Sequence, residues 1–296
     1  PDAEPAPRSP YDLDAPTQVF ATGFGQMGVL HGQHRISRLE YNGFGTLIGA
    51  SRELNSNARL GAAVGYGQTR TNARPVNTFN ADTDTLLGAV FADFSHARGA
   101  LSVQAGYAQI THDTTRNILD IEGLETPSTA EYDNHAYFAR LEHGLDLGER
   151  HGAQITLLAP VIDYVNLQDA RVNENGNSPA NLRIQNETFE SLRAGLGLQV
   201  ERQIQRGDAG VTPYARVVYQ RELWDREATS TNRFRLATQL PFDAVSRELG
   251  EDSVEWNLGL RSTTRNQNLN LAVEYQGRAI KGETGHGAQV SLNYRF

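Results

Sequence analysis

The 296-residue chain contains no cysteine. That excludes a disulfide framework, a thiolate zinc site and a thiol nucleophile. Lysine occurs only at Lys281, so nearly all positive charge is arginine. A formal net charge of −8 with scattered arginines is not the basic stripe of a nucleic-acid surface, and no nucleic-acid partner is expected. Long apolar runs are also missing. The longest, LLGAVFA at 86–92, falls far short of the ~18 residues that a spanning helix needs. The chain starts at Pro1 with no charged segment and apolar segment in succession, so its start does not read as a signal peptide. Catalytic signatures are lacking too: there is no GxSxG elbow and no HExxH, and GFGQMG at 23–28 has no strand–helix context. His31 and His34 stand three apart in an expected loop without acidic neighbours, which points to solvent-facing residues and not to a metal. No cofactor is expected.

What the chain does have is alternation. Hydrophobic residues make up 39% and the mean hydropathy is −0.50. Such averages suit a soluble protein, but a membrane β-barrel has them as well, because only every second residue meets lipid. In SVEWNLGLR, Val254, Trp256, Leu258 and Leu260 oppose Glu255, Asn257, Gly259 and Arg261. NLNLAVEYQGR sets Leu269, Leu271, Val273 and Tyr275 against a polar face carrying Glu274, and SLRAGLGLQVE sets Leu192, Leu196, Leu198 and Val200 against Arg193, Gln199 and Glu201. The final segment places Ala288, Val290, Leu292, Tyr294 and Phe296 on one face. QVFATGFG and TLLGAVFADF are apolar in both phases and do not reveal which face is which. About twelve strands are expected, beginning near Val19, Leu39, Leu60, Leu86, Leu101, Tyr137, Ile155, Leu192, Val211, Val254, Leu269 and Gln289. Ahead of them, residues 1–16 hold five prolines and read as an extended linker; residues 17–296 form the strand-rich domain.

The connections carry the stronger signal. Those after even-numbered strands are short, around LNSN, SHARG, GERHG, QIQRGDAG and RNQN. Those after odd-numbered strands are mostly long, at 69–84, 111–134, 169–187 and 224–252. A sandwich has no reason for this alternation, whereas a membrane barrel has short periplasmic turns and long outer loops. The expected fold is therefore an all-β, transmembrane, antiparallel up-and-down barrel with both termini periplasmic. In lipid an open sheet edge leaves a row of backbone groups unpaired, so the last strand must close on the first. The inner face is expected to carry Arg193, Glu201, Glu255, Arg261, Glu274 and Arg278, joined on weaker phasing by Arg140, Glu142, Arg216 and Glu222, as the lining of a hydrated pore. Trp256, Tyr275, Tyr294 and Phe296 suit interfacial girdles.

Taken together, the GFG-containing first strand, RLGAAVGYGQT, TPYARVVYQRELWD and the closing pair NLAVEYQGR and GAQVSLNYRF resemble the C-terminal β-domain of type V autotransporters, over about residues 17–296. The resemblance implies a monomeric twelve-stranded translocator in the outer membrane of a Gram-negative bacterium. Such a domain anchors and helps to export an N-terminal passenger. It also implies that Ala288, Val290, Leu292, Tyr294 and Phe296 form the signal read by the barrel-assembly machinery, and that the partners are lipid, that machinery and the passenger. Family members usually carry a pore helix before the first strand; the proline-rich 1–16 departs from that pattern. An enzyme is not expected. A stand-alone channel and an outer-membrane hydrolase with a rim site remain the alternatives.

Overall fold

The structure, a computed structural model, describes residues 17–32, 37–74, 78–117, 127–206, 209–224, 227–246, 248, 250–263 and 268–295. Its elements are all strands: β1 (Thr17–Leu30), β2 (Arg38–Asn55), β3 (Ala58–Arg74), β4 (Phe79–His96), β5 (Gly99–Arg116), β6 (Ser128–Arg150), β7 (Ala153–Leu167), β8 (Ala170–Asn173), β9 (Leu182–Asn186), β10 (Phe189–Glu201), β11 (Ile204–Arg206), β12 (Ala209–Glu222), β13 (Thr229–Phe234), β14 (Ala237–Val245), β15 (Asp252–Thr263), β16 (Leu269–Ile280) and β17 (Glu283–Arg295). Twelve of them pair antiparallel in the order β10-β7-β6-β5-β4-β3-β2-β1-β17-β16-β15-β12, and β10 pairs with β12 to close the ring. The seam between the first and last strands runs without a break from Gln18 opposite Arg295 to Leu30 opposite Glu283. Every barrel strand thus has a partner on both sides, as a lipid-embedded sheet demands.

Two-residue turns at 56–57, 97–98 and 151–152 lie at the end that holds Thr17 and Arg295. His151 and Gly152 both have positive φ, 54° and 77°, the backbone twist that a tight hairpin requires. At the opposite end, two of the expected long loops are not loops. Residues 169–187 and 224–252 supply β8, β9, β13 and β14, which form a separate sheet in the order β14-β13-β9-β8. It is tied to the barrel by Arg116, whose Nε and Nη2 donate to Glu174 at 2.8 and 2.6 Å, and by Ser128 Oγ bonded to Asn181 Oδ1 at 2.6 Å. The loops expected at 69–84 and 111–134 are largely strand as well: β3 and β4 stay paired out to Asn72 and Asn80, and β5 and β6 to Arg116 and Ser128. Their residues are mostly polar, since strand projecting beyond the bilayer no longer meets lipid, and the apolar alternation of the belt disappears there.

One strand changes phase midway. Both neighbours of β7 skip from Leu158 to Val161 in register, so Ala159 and Pro160 bulge out of the ladder. Proline has no N–H to contribute to a central strand, which is why the bulge falls on it. The extra residue reverses which side chains point inward: Leu157 aligns with the outward Leu198, whereas beyond the bulge Tyr164 aligns with the outward Leu192. His143 fills the gap opposite, its Nδ1–H donating to the Ala159 carbonyl at 3.2 Å, and its Nε2 lies 3.0 Å from Nε2 of His96.

Candidate functional site

Polar and aromatic contacts that reach over intervening strands on the face opposite the exposed apolar belt identify the inner face. Arg216 on β12 reaches over β10 and β7 to Glu142 on β6 with a two-pronged bond, Nη1 to Oε1 at 2.7 Å and Nη2 to Oε2 at 2.5 Å. Gln220 reaches over β10 to Asp163 at 2.5 Å, and Arg261 over β12 to Glu201 at 3.5 Å. Tyr214 donates over β15 to Glu274, Tyr41 over β1 to Glu283 at 3.1 Å, and Phe20 meets Phe91 over β2 and β3 at 5.8 Å between ring centroids.

Counted in register from these contacts, Arg140, Glu142, Arg193, Glu201, Arg216, Glu222, Glu255, Arg261, Glu274 and Arg278 all occupy inward positions. The structure brings them into four groups of paired charges. Arg140 bonds Asp163 at 3.0 Å and Glu142 at 3.1 Å. Arg193 bonds Glu222 at 3.0 Å, and Glu222 also accepts from Ser191 Oγ at 2.6 Å and from the Leu192 N–H at 2.8 Å. Glu274 accepts from Asn257 at 2.9 Å and Gln289 at 3.0 Å besides Tyr214, while Arg261 lies 4.2 Å over the Tyr214 ring. Arg278 is the loosest member, its Nε 3.8 Å from Glu255. Buried carboxylates and guanidinia are tolerable only with partners of this kind.

Several members were not visible in the sequence. Asp163 sits past the β7 bulge, where alternation counted from Leu157 gives the wrong face. Gln220 and Tyr214 lie on a strand whose inner face mixes polar and apolar groups; beneath the bonds that span β6 to β12, Leu158, Val161 and Val218 pack together with 0 to 1% exposure. This sector of the lumen is filled.

The opposite sector has another character. In the middle of β1 to β5 the inward positions are Phe20, Thr22 and Phe24, then Gly45, Leu47 and Gly49, then Gly61, Ala63 and Gly65, then Leu87, Ala89 and Phe91, then Gln104, Gly106 and Ala108; none is charged. A Cβ added to Gly49 would run into the Phe20 ring, and one added to Gly61 into the Phe91 ring. Each ring therefore lies against bare backbone of the neighbouring strands instead of projecting across the lumen. These rings and Leu47 and Leu87 are only half-buried. They account for the segments whose phase the sequence leaves open: QVFATGFG and TLLGAVFADF are apolar on both faces because one face meets lipid and the other forms this wall.

Outward, Leu60, Val64, Leu86, Val90, Leu196, Leu198, Leu258, Leu260, Val290 and Leu292 form an exposed apolar belt. Ala288, Val290, Leu292 and Tyr294 share this outward face of β17 and align across the seam with Gly25, Gly23, Ala21 and Val19. Phe296 and His34 lie outside the described residues, as do residues 1–16. Near one end of the belt, Tyr275 Oη lies 2.7 Å from His286 Nδ1, and His286 also meets Trp256 edge-on.

Comparison with known proteins matches this architecture. The family model described as "Autotransporter beta-domain" matches residues 19–276. An extracellular serine protease of Serratia marcescens is 24% identical over 282 residues, 94% of this chain and 26% of that protein. The chain thus spans about a quarter of the length of that curated relative. Among solved structures, the translocator domain of the autotransporter NalP from Neisseria meningitidis superposes with a TM-score of 0.76 at 17% identity, covering 96% of this chain and 90% of that one. The β-domain of the Bordetella autotransporter BrkA gives 0.69 at 17% identity, covering 95% of this chain and all (100%) of the other.

Proposed function

Because the chain belongs to the autotransporter β-domain family, we propose that it is the outer-membrane translocator of a longer protein, anchoring a passenger that precedes it and conducting that passenger to the cell surface. The observation that carries this reading is the closed twelve-strand ring with a lipid-compatible belt outside and a partly open interior inside. Export of an extended chain through such an interior requires no covalent chemistry. The protease named among the relatives is a far longer protein, and its activity is said of that protein alone.

Within this reading the short-turn end, which carries both barrel termini, faces the periplasm, and the end bearing the four-stranded sheet faces outward. Residues 1–16 serve as a linker into the barrel. The ten inward charged residues face the lumen and hold its wall together, and the four on β15 and β16 line its open part. The barrel works as a monomer, and the assembly machinery reads Ala288, Val290, Leu292, Tyr294 and Phe296. Deleting Phe296 should then lower the amount of heat-modifiable barrel in the outer membrane.

The test fuses a signal peptide and an epitope-tagged, unstructured reporter ahead of residue 1 and expresses the fusion in a Gram-negative host. The epitope should become accessible to external protease on intact cells. An epitope that stays protected, while the barrel is folded in the outer membrane, would overturn the proposal.

A further inference from the structure

The lumen is two-sided. From β6 to β12 it is closed by side chains: Glu142, Glu201, Glu222, Gln199 and Gln220 are buried although they face inward, and the bonds from Arg216 to Glu142 and from Gln220 to Asp163 run across that sector. The open space therefore lies off-centre, against β1 to β5 and the adjoining β15 to β17. Its two remaining walls differ. On β15 and β16 the inward groups are polar and charged: Glu274 accepts from three donors, Asn257 among them, and Arg278 lies beside Glu255 at 3.8 Å. On β1 to β4 the wall is Phe20, Phe24, Leu47, Leu87 and Phe91 over glycine backbone, apolar and half-exposed to the lumen.

A contiguous apolar surface left open to water marks a place of contact. Twelve strands enclose this one, so whatever touches it enters from an end of the barrel and has the width of a thread. A curated relative, of which this chain covers 26%, has a long polypeptide beyond the matched part, and on the translocator reading such a passenger is the thread. Contact with the apolar wall is non-directional and makes no hydrogen bond that must be broken at each step. Contact with the charged wall is directional and competes with the hydrogen bonds that Glu274 already accepts. A conduit has to bind weakly enough to release, and the apolar wall meets that condition.

On the translocator reading above, on which this rests, we propose that the passenger in transit slides along the uncharged wall of β1 to β4, and that the charged sector is a structural strut which the passenger does not touch. The two walls thus have different tasks, one to conduct and one to hold the barrel's shape.

The absence of cysteine makes the test direct. A reporter with one cysteine in an unstructured stretch, and a stably folded domain at its leading end to halt transit, is fused ahead of residue 1. The barrel carries a single Leu47→Cys or Leu87→Cys on the uncharged wall, or Asn257→Cys or Gln276→Cys on the polar wall; all four positions are half-buried and inward. Heat-modifiability is checked for each, and the same fusions without the stalling domain must display their epitope outside. After mild oxidation, disulfides from positions 47 and 87 should exceed those from 257 and 276 several-fold. Equal or stronger cross-linking at 257 and 276 overturns the sliding-wall assignment while leaving export intact, as does the absence of cross-links at all four positions when the unstalled reporter reaches the surface. A reporter that never reaches the surface from a folded barrel overturns the translocator reading and this inference together.

Discussion

Glu142 shows how much one side chain carries in this barrel. Its carboxylate is 9% exposed and is shared by Arg216 and Arg140. Truncation to alanine leaves two guanidinia facing a buried gap, and removal of one partner from such a set typically costs about 3–5 kcal/mol. Glu142→Ala should lower stability by that order in urea unfolding of the detergent-refolded barrel. The double variant Glu142→Met with Arg216→Met should lose less than the single one, because Arg140 keeps Asp163 and no charge is stranded. Gly61 offers a second test at this scale. A methyl group there overlaps the Phe91 ring, so Gly61→Ala should reduce the yield of heat-modifiable barrel, and adding Phe91→Leu should restore much of it. If the two substitutions act independently, the ring does not depend on the bare backbone beneath it.

Among the elements, β7 carries the most consequential irregularity. The Ala159–Pro160 bulge shifts alternation by one residue, which turns Val161 and Asp163 inward and Ile162 and Tyr164 outward. Deleting Pro160 should send Asp163 into lipid and break its bonds to Arg140 and Gln220, leaving no folded barrel on a semi-native gel. Pro160→Ala, which keeps the residue count, should still fold. The same strand marks the limit of what the sequence discloses. Where one face meets lipid and the other meets charge, as in β10, β15, β16 and β17, period-two alternation is plain, and the inward Arg193, Glu255 and Glu274 follow from it. Where both faces are apolar, as in β1 and β4, or a bulge intervenes, alternation stops reporting direction. Where strands leave the bilayer, as at the outer ends of β3 to β6, they look like loops. The small sheet of β8, β9, β13 and β14 was illegible for a related reason: its strands are four to nine residues long and pair across two separate connections.

The whole molecule is a ring whose ends meet. Gln18 lies opposite Arg295, so the two ends of the barrel sequence are neighbours in the same sheet. A chain reopened at the 97–98 turn, with residues 17 and 295 joined by a short linker, should therefore give a barrel with the same thermal shift on a gel, since no ladder bond is lost. Loss of β17 should do the opposite and remove the heat-modifiable form entirely. An engineered break at a turn and a natural break at the seam thus make different demands, although each leaves one pair of ends.

The seam also sets an order in time. Synthesis begins at the N-terminal side, so β1 must wait, one edge bare, until the chain's last strand has been made. Nothing local can stand in for it: the partners lie at opposite limits of the barrel sequence, the slowest kind of contact to form. The seam is in that respect a test of completeness. A chain that stops early keeps two naked edges and stays recognisable as unfinished, prone to stick or to be degraded. On the translocator reading proposed above, a passenger ahead of β1 is exported only by a chain translated through β17.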